Sequence, residues 1–159
     1  MERRRPISKC TACGGSRLAD SSETEEHAVS GTKYRIEVPA WKCQRCGEVF
    51  VDGPATLRAE LVVAGELARH GPANGETFRF MRSSLQLRAT ELADLLDIRA
   101  ETVSRWEKGH DPVDRSAWAA LAAMVCESLG KRRDTRDRLE AIRSPAQKPR
   151  TIVRLDLDT

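Results

Sequence analysis

Two cysteine pairs dominate the chemistry available to this chain: Cys10-Thr11-Ala12-Cys13-Gly14 and Cys43-Gln44-Arg45-Cys46-Gly47. A CxxC turn brings two thiolates to one side of a metal ion, and two such turns close a tetrahedron. Glycine after each second cysteine accepts the left-handed backbone geometry that lets nearby amides point at the sulfurs. In a reducing compartment this pattern argues for metal rather than disulfides. We therefore expect one structural Zn²⁺ per chain on Cys10, Cys13, Cys43 and Cys46, its −2 charge offset by Lys9, Lys42 and Arg45. A redox role for either pair is disfavoured, because no βαβ pattern surrounds them. Four sulfurs also leave no open position for a catalytic water. His27 lies in a polar stretch and is expected to be exposed rather than a ligand, and Cys126, among Met124, Val125 and Leu129, reads as a small buried hydrophobe.

A second candidate site lies between Leu87 and Gly109. Leu92, Leu95 and Leu96 give a first short helix an apolar face, Ala93 allows close crossing, and Asp97-Ile98 makes a turn with Ile98 beneath it. In the next helix Val103 and Trp106 face the core. Glu101, Thr102, Ser104, Arg105 and Lys108 then lie on outward faces. Such a face fits a DNA major groove: arginine can grip guanine O6 and N7 in bidentate fashion, each such contact discriminating by about 1–3 kcal/mol. Thr102 and Ser104 can bond phosphates or base edges, and the helix N-terminus favours phosphate.

The elements that must hold these sites follow from punctuation and periodicity. The chain has 159 residues, a net charge of +3, 40% hydrophobic and 32% charged residues. Those numbers bound one ordinary domain or two small ones, and the mild basicity alone says little about nucleic acid. An α+β chain is expected: a small zinc-bound β module on paired four-cysteine knuckles, joined by a helix to an all-α helix-turn-helix domain of five helices. Residues 1–52 form the zinc-binding module, 53–75 the connecting helix and linker, 76–143 the helix-turn-helix domain and 144–159 a tail. Residues 1–9 read as a basic arm, with Arg3-Arg4-Arg5 solvated or following a DNA backbone.

Within the first module a weak strand around Glu25–Val29 and a clearer one over Lys33–Val38 flank a Ser30-Gly31-Thr32 turn. The module's core is thin, and so few apolar groups rarely supply more than about 3–5 kcal/mol. Structural zinc contributes about 10–16 kcal/mol in finger peptides, so metal is expected to be a condition of folding. Pro54 opens a helix over 54–70 whose apolar face is available to a partner, and His70-Gly71-Pro72 ends it. Further helices are predicted at 76–86, 89–96, 100–108, 114–129 and 133–142. The tail over 150–157 has the pattern of a strand that could join a sheet edge.

The string Thr102-Val103-Ser104-Arg105-Trp106-Glu107-Lys108-Gly109, with Leu92-Ala93 and Ile98 before it, looks like the Xre/Cro class of helix-turn-helix repressors. The CxxCG pairs followed by this string resemble the MqsA (YgiT-type) antitoxin family, over roughly Cys10 to Gly130. The resemblance implies a dimeric autorepressor that binds double-stranded operator DNA at a palindromic site, and a cognate toxin protein as a further partner. In that family an asparagine and an arginine one turn apart read bases. Arg105 matches the arginine, whereas Glu101 stands in the asparagine's place and can accept only from a donor such as a cytosine amine. A different operator is expected. Arg88 and Arg99 replace the usual capping serine or threonine and are candidates for holding phosphate. A stand-alone zinc-containing regulator without a toxin is the alternative reading. The chain offers no nucleophile–base constellation, phosphate loop or open metal site, so no enzyme is expected. No apolar run approaches a membrane span and no apolar stretch follows the charged start, so a soluble cytoplasmic protein without a signal peptide is expected.

Overall fold

The computed structural model describes residues 8–130 and 152–157, as an α+β chain with a four-stranded sheet, five helices and a cysteine cluster. The expected basic arm, the Lys131-Arg132-Arg133 cluster and the expected helix over 133–142 lie outside the described residues.

The sheet is built on a long hairpin. Strands β1 (Leu18–Val29) and β2 (Thr32–Cys43) pair antiparallel along their whole length, from Leu18 opposite Cys43 to Val29 opposite Thr32. Ser30 and Gly31 both have positive φ, at 49° and 76°. A two-residue turn of that hand matches the twist of the flanking strands. Both strands extend well beyond the segments that alternation marks. On β2 the inward residues Tyr34, Ile36, Val38 and Ala40 are buried. The first half of β1, Asp20-Ser21-Ser22-Glu23-Thr24, has no apolar face and forms because β2 supplies its register.

The other edge of β2 carries two short strands. β3 (Val49–Val51) runs antiparallel beside Ala40–Lys42, next to the second cysteine pair. β4 (Ile152–Leu155) runs parallel beside Lys33–Ile36. The strand-like tail thus joins the edge of its own sheet.

Helix α1 (Gly53–His70) starts with Pro54 in its first turn and ends where the Gly71 amide bonds the Leu67 carbonyl at 2.8 Å. The apolar face expected to meet a partner is largely used within the chain. Ala59 and Val62 cover Ile36 and Val38 of β2, while Val63, Ala64 and Leu67 enter the main core. Leu57 alone among its large apolar residues stays exposed. α1 is a central packing element rather than a connector.

The remaining helices are α2 (Gly75–Ser84), α3 (Ala89–Leu95), α4 (Ala100–Glu107) and α5 (Arg115–Ser128). Asn74 caps α2 by accepting from the Thr77 amide, and Asp114 caps α5 by accepting from the Ser116 and Ala117 amides. Their shared core stacks Phe78 on Trp118 and sets it edge-on to Trp106, with ring centroids 6.3 and 5.8 Å apart. Val29 and Tyr34 of the hairpin belong to that same core. Cys126 is buried in the helical layer, as its surroundings predict.

Helices α2, α3 and α4 end in one motif. The residue after each cap has positive φ (Gln86 59°, Asp97 53°, Gly109 71°), and its amide bonds back to a carbonyl of the last turn. The next amide reaches one residue further back: Leu87 to Arg82, Ile98 to Ala93, His110 to Arg105. This Schellman closure satisfies the orphan carbonyls and reverses the chain sharply.

Candidate functional site

The first site sits at the end of the hairpin remote from its turn. Each cysteine pair forms a knuckle of the same design, 33 residues apart. In one, the Cys10 amide donates to the Gly15 carbonyl and Gly14 to the Cys10 carbonyl, both at 2.8 Å; in the other, Cys43 donates to Glu48 at 2.8 Å and Gly47 to Cys43 at 2.9 Å. Gly14 and Gly47 both adopt positive φ, at 72° and 80°, as the spacing predicts. The β1–β2 pairing then brings the knuckles together, because Leu18 and Cys43 are register partners.

All four Sγ atoms lie within 4.8 Å of one another, and Cys10–Cys46 and Cys13–Cys43 approach to 3.6 Å. A tetrahedral ion with bonds to sulfur of about 2.3 Å has ligands about 3.8 Å apart. The four cysteines are therefore placed to hold a metal ion. Cys10 and Cys43 are buried, Cys13 is half-buried and Cys46 exposed.

Local dipoles prepare the sulfurs unequally. The Cys46 and Arg45 amides hold the Cys43 thiol down at about 6. The Glu48 amide pulls Cys46 the same way, but the Cys13 thiol, burial and the other two sulfurs push it up to about 12. Four crowded thiolates repel one another, and a divalent cation between them removes that repulsion. Of the basic residues expected to help, Arg45 donates to the Cys13 carbonyl at 3.4 Å, and Lys9 and Lys42 are exposed.

His27 is not part of this cluster, nor is it exposed. It packs edge-on to Phe80 of α2 with centroids 5.8 Å apart, and its Nε2 lies 3.5 Å from the Glu25 carboxylate. Glu25 in turn accepts from Thr56 of α1 at 2.7 Å. A histidine in a polar strand is drawn in here because both helices press on that face.

The second site is the α3–α4 pair, joined by Leu96, Asp97, Ile98 and Arg99. Leu92 and Ala93 are buried, and so are Val103 and Trp106 of α4. Leu95 is not: it is 62% exposed, because α3 buries Leu92 and Ala93 on its inward side while Ala89, Leu96 and Ile98 pack at the core margin. Glu101 and Arg105 on α4 and Lys108 at its C-cap are exposed, whereas Thr102 and Ser104 are half-buried beside the anchoring residues.

Arg88 and Arg99 occupy the cap positions of α3 and α4, both exposed. Arg88 is already engaged: its amide donates to Glu91 at 2.7 Å and its guanidinium to the same carboxylate at 2.8 Å. One participant escapes the sequence pattern. Asp111, beyond the end of α4, accepts from Arg105 Nε at 2.5 Å and from Nη2 at 3.0 Å. Its only signal in the sequence is Gly109, which permits the turn that brings it back.

Neither a family model, nor a curated protein, nor a solved structure matches the chain. Among the described residues no helix is long and apolar enough to cross a membrane.

Proposed function

We propose that this protein is a sequence-specific DNA-binding transcriptional repressor that carries one structural zinc per chain and acts as a dimer on a palindromic operator. The observation that carries this reading is the α3–α4 pair: Val103 and Trp106 anchor α4, leaving Glu101, Arg105 and Lys108 on one exposed side. In this reading the pair is a helix-turn-helix and α4 lies in the major groove. Arg105 reads a base edge, Glu101 favours a cytosine amine, and Lys108 with Arg99 and Arg88 binds backbone phosphate. Thr102 and Ser104 lend hydroxyls at the margin of that contact.

Zinc is the ion the four thiolates fit best, since it tolerates a closed tetrahedron without redox chemistry. Its role is to fasten the two knuckles, and so the open end of the hairpin. The cysteine pairs and the α3–α4 string together extend the reading to an antitoxin of a type II pair, with a toxin captured on the zinc module and DNA binding regulating the operon.

Footprinting of the full chain on the DNA upstream of its own reading frame tests the repressor. Two protected half-sites about one helical turn apart are expected; uniform, sequence-independent protection would overturn it. Co-purification of a small protein encoded in the neighbouring frame tests the antitoxin extension, and recovery of the repressor alone, with both expressed, would remove it.

A further inference from the structure

We infer that Asp111 is the positioning residue that presents Arg105 to a guanine, holding one edge of the guanidinium so that the other faces the groove. This rests on the DNA-binding reading above and names how its reading residue is set.

A guanidinium has five N–H bonds on two usable edges. The side-on edge, Nε with one Nη2 hydrogen, is the one Asp111 takes, through both carboxylate oxygens. The end-on edge, with one N–H from each terminal nitrogen, has no partner among the described residues. Two parallel N–H groups at that edge match the O6 and N7 acceptors of guanine, and no other base offers two acceptors there in the major groove.

The backbone builds this arrangement. Gly109 turns at positive φ, its amide bonds the Trp106 carbonyl at 3.0 Å, and the His110 amide bonds the Arg105 carbonyl at 2.9 Å. Asp111 is thereby returned to the flank of the helical turn it has just left. The pair lies in the open, with Arg105 58% and Asp111 39% exposed. An exposed pair contributes little stability, so orientation is what it provides.

Glu101 supplies the contrast. It stands one turn before Arg105 on the same exposed side, the favourable order for an acidic–basic pair at that spacing. Without Asp111, the guanidinium is free to fold back along α4 towards Glu101 and away from the base.

The test uses the full-length, metal-loaded chain on its own upstream DNA, with each guanine of the protected site replaced in turn by 7-deazaguanine, which lacks N7. Wild type should lose about tenfold in affinity at one guanine per half-site. In Asp111→Asn and in Arg105→Ala that loss should shrink to under about twofold, while Asp111→Glu keeps part of it and non-specific binding does not fall. Unaltered melting of the exposed-site variants establishes that they fold. An Asp111→Asn protein that keeps the full wild-type loss overturns the inference and leaves the repressor reading standing. Wild-type binding that is indifferent to every guanine overturns it too, again without touching DNA binding itself. Failure of wild type to prefer its upstream DNA over random sequence removes both.

Discussion

Arg82 in the last turn of α2 and Glu107, the final residue of α4, form a two-pronged ion pair, with Nε–Oε1 at 2.6 Å and Nη2–Oε2 at 3.1 Å. The same guanidinium donates through Nη1 to the Leu87 carbonyl, in the loop that leads to α3. Both side chains are nearly enclosed, at 12% and 10% exposure. One cation therefore ties together the end of α2, the approach to α3 and the end of α4. The angle at which α4 is presented depends on it.

Removing one partner should be costly, because the other charge stays enclosed without compensation. Arg82→Ala or Glu107→Ala is expected to destabilise the fold by about 3 kcal/mol. The double change Arg82→Met with Glu107→Met should recover much of that loss, since matched apolar groups leave nothing unpaired. Urea unfolding of the three variants measures it, and single variants as stable as wild type would contradict it.

Gly75 is a second fixed point of the same corner. A Cβ there would overlap the Trp106 carbonyl oxygen, with the Trp106 and Glu107 carbonyl carbons close behind. These are backbone atoms, so no side-chain rotation relieves the clash. Gly75→Ala should therefore cost about 1–3 kcal/mol, as overpacking does, despite alanine's better helix propensity. A variant with an unchanged denaturation midpoint would show that α2 and α4 can separate freely.

How much of this was legible in the sequence depended on whether the signal was local. The knuckle glycines and the breaks at Asp97 and Gly109 announce themselves, because each is a backbone requirement met within a few residues, whereas Asn74 reads as linker and proves to cap α2. The four cysteines were equally plain, since their pairing follows from spacing and chemistry. What stayed hidden was non-local. The polar half of β1 is a strand only because β2 runs beside it, and His27 is half-buried only because α2 packs on it and α1 on the neighbouring Glu25. The same holds for α1: periodicity marks its apolar face but not what covers it, and β2 and the main core take most of it. Leu95 errs the other way, an apolar residue on a short helix whose inward side is filled by Leu92 and Ala93.

Metal removal should act locally, rather than as the condition of folding that the module's thin core suggests, because the hairpin shares the core of the helices. The knuckles lie at one end of the hairpin, whereas the Ser30 end is held by hydrogen bonds from Ser30 to Asn74 and Glu76, and Val29 and Tyr34 belong to the helical core. Chelation at neutral pH should release about one zinc per chain. Hydrogen exchange should then speed at the amides of Cys10, Gly14, Cys43 and Gly47, which close the knuckles, and much less at Tyr34 and Ile36. Concerted loss of protection across the helices would mean that the metal holds the whole chain. Protein purified without chelator that carries no metal and takes up none when zinc is added would remove the site.

Asp111 gives a pH dependence with a definite sign. The hydrogen bonds from Arg105 hold its carboxyl below the usual 3.8. A depressed folded-state value means that the ion pair is formed above the unfolded value and is lost as pH falls through the folded one. The orientation of Arg105 should thus be constant from pH 8 to about 5 and change only in stronger acid. A carbon-detected titration of Asp111 should show a midpoint under 3.8 that rises in Arg105→Ala. An Asp111 midpoint indifferent to Arg105 would mean that the pair does not persist in solution.

Arg105 and Lys108 should fail in different ways. Arg105 is exposed on α4 and Lys108 at its C-cap, but only Arg105 has a partner that fixes its plane, whereas Lys108 is a point charge on a flexible stem just before the Gly109 turn. If Arg105 reads a base, Arg105→Ala costs about 1–3 kcal/mol on the operator and relaxes preference at one position per half-site. If Lys108 binds phosphate, Lys108→Ala weakens operator and random DNA alike and lowers the salt slope of binding by about 1. Binding isotherms over a salt series, on operator and scrambled duplexes, separate the two patterns. Equal losses on both duplexes for both variants would reduce α4 to a non-specific basic surface.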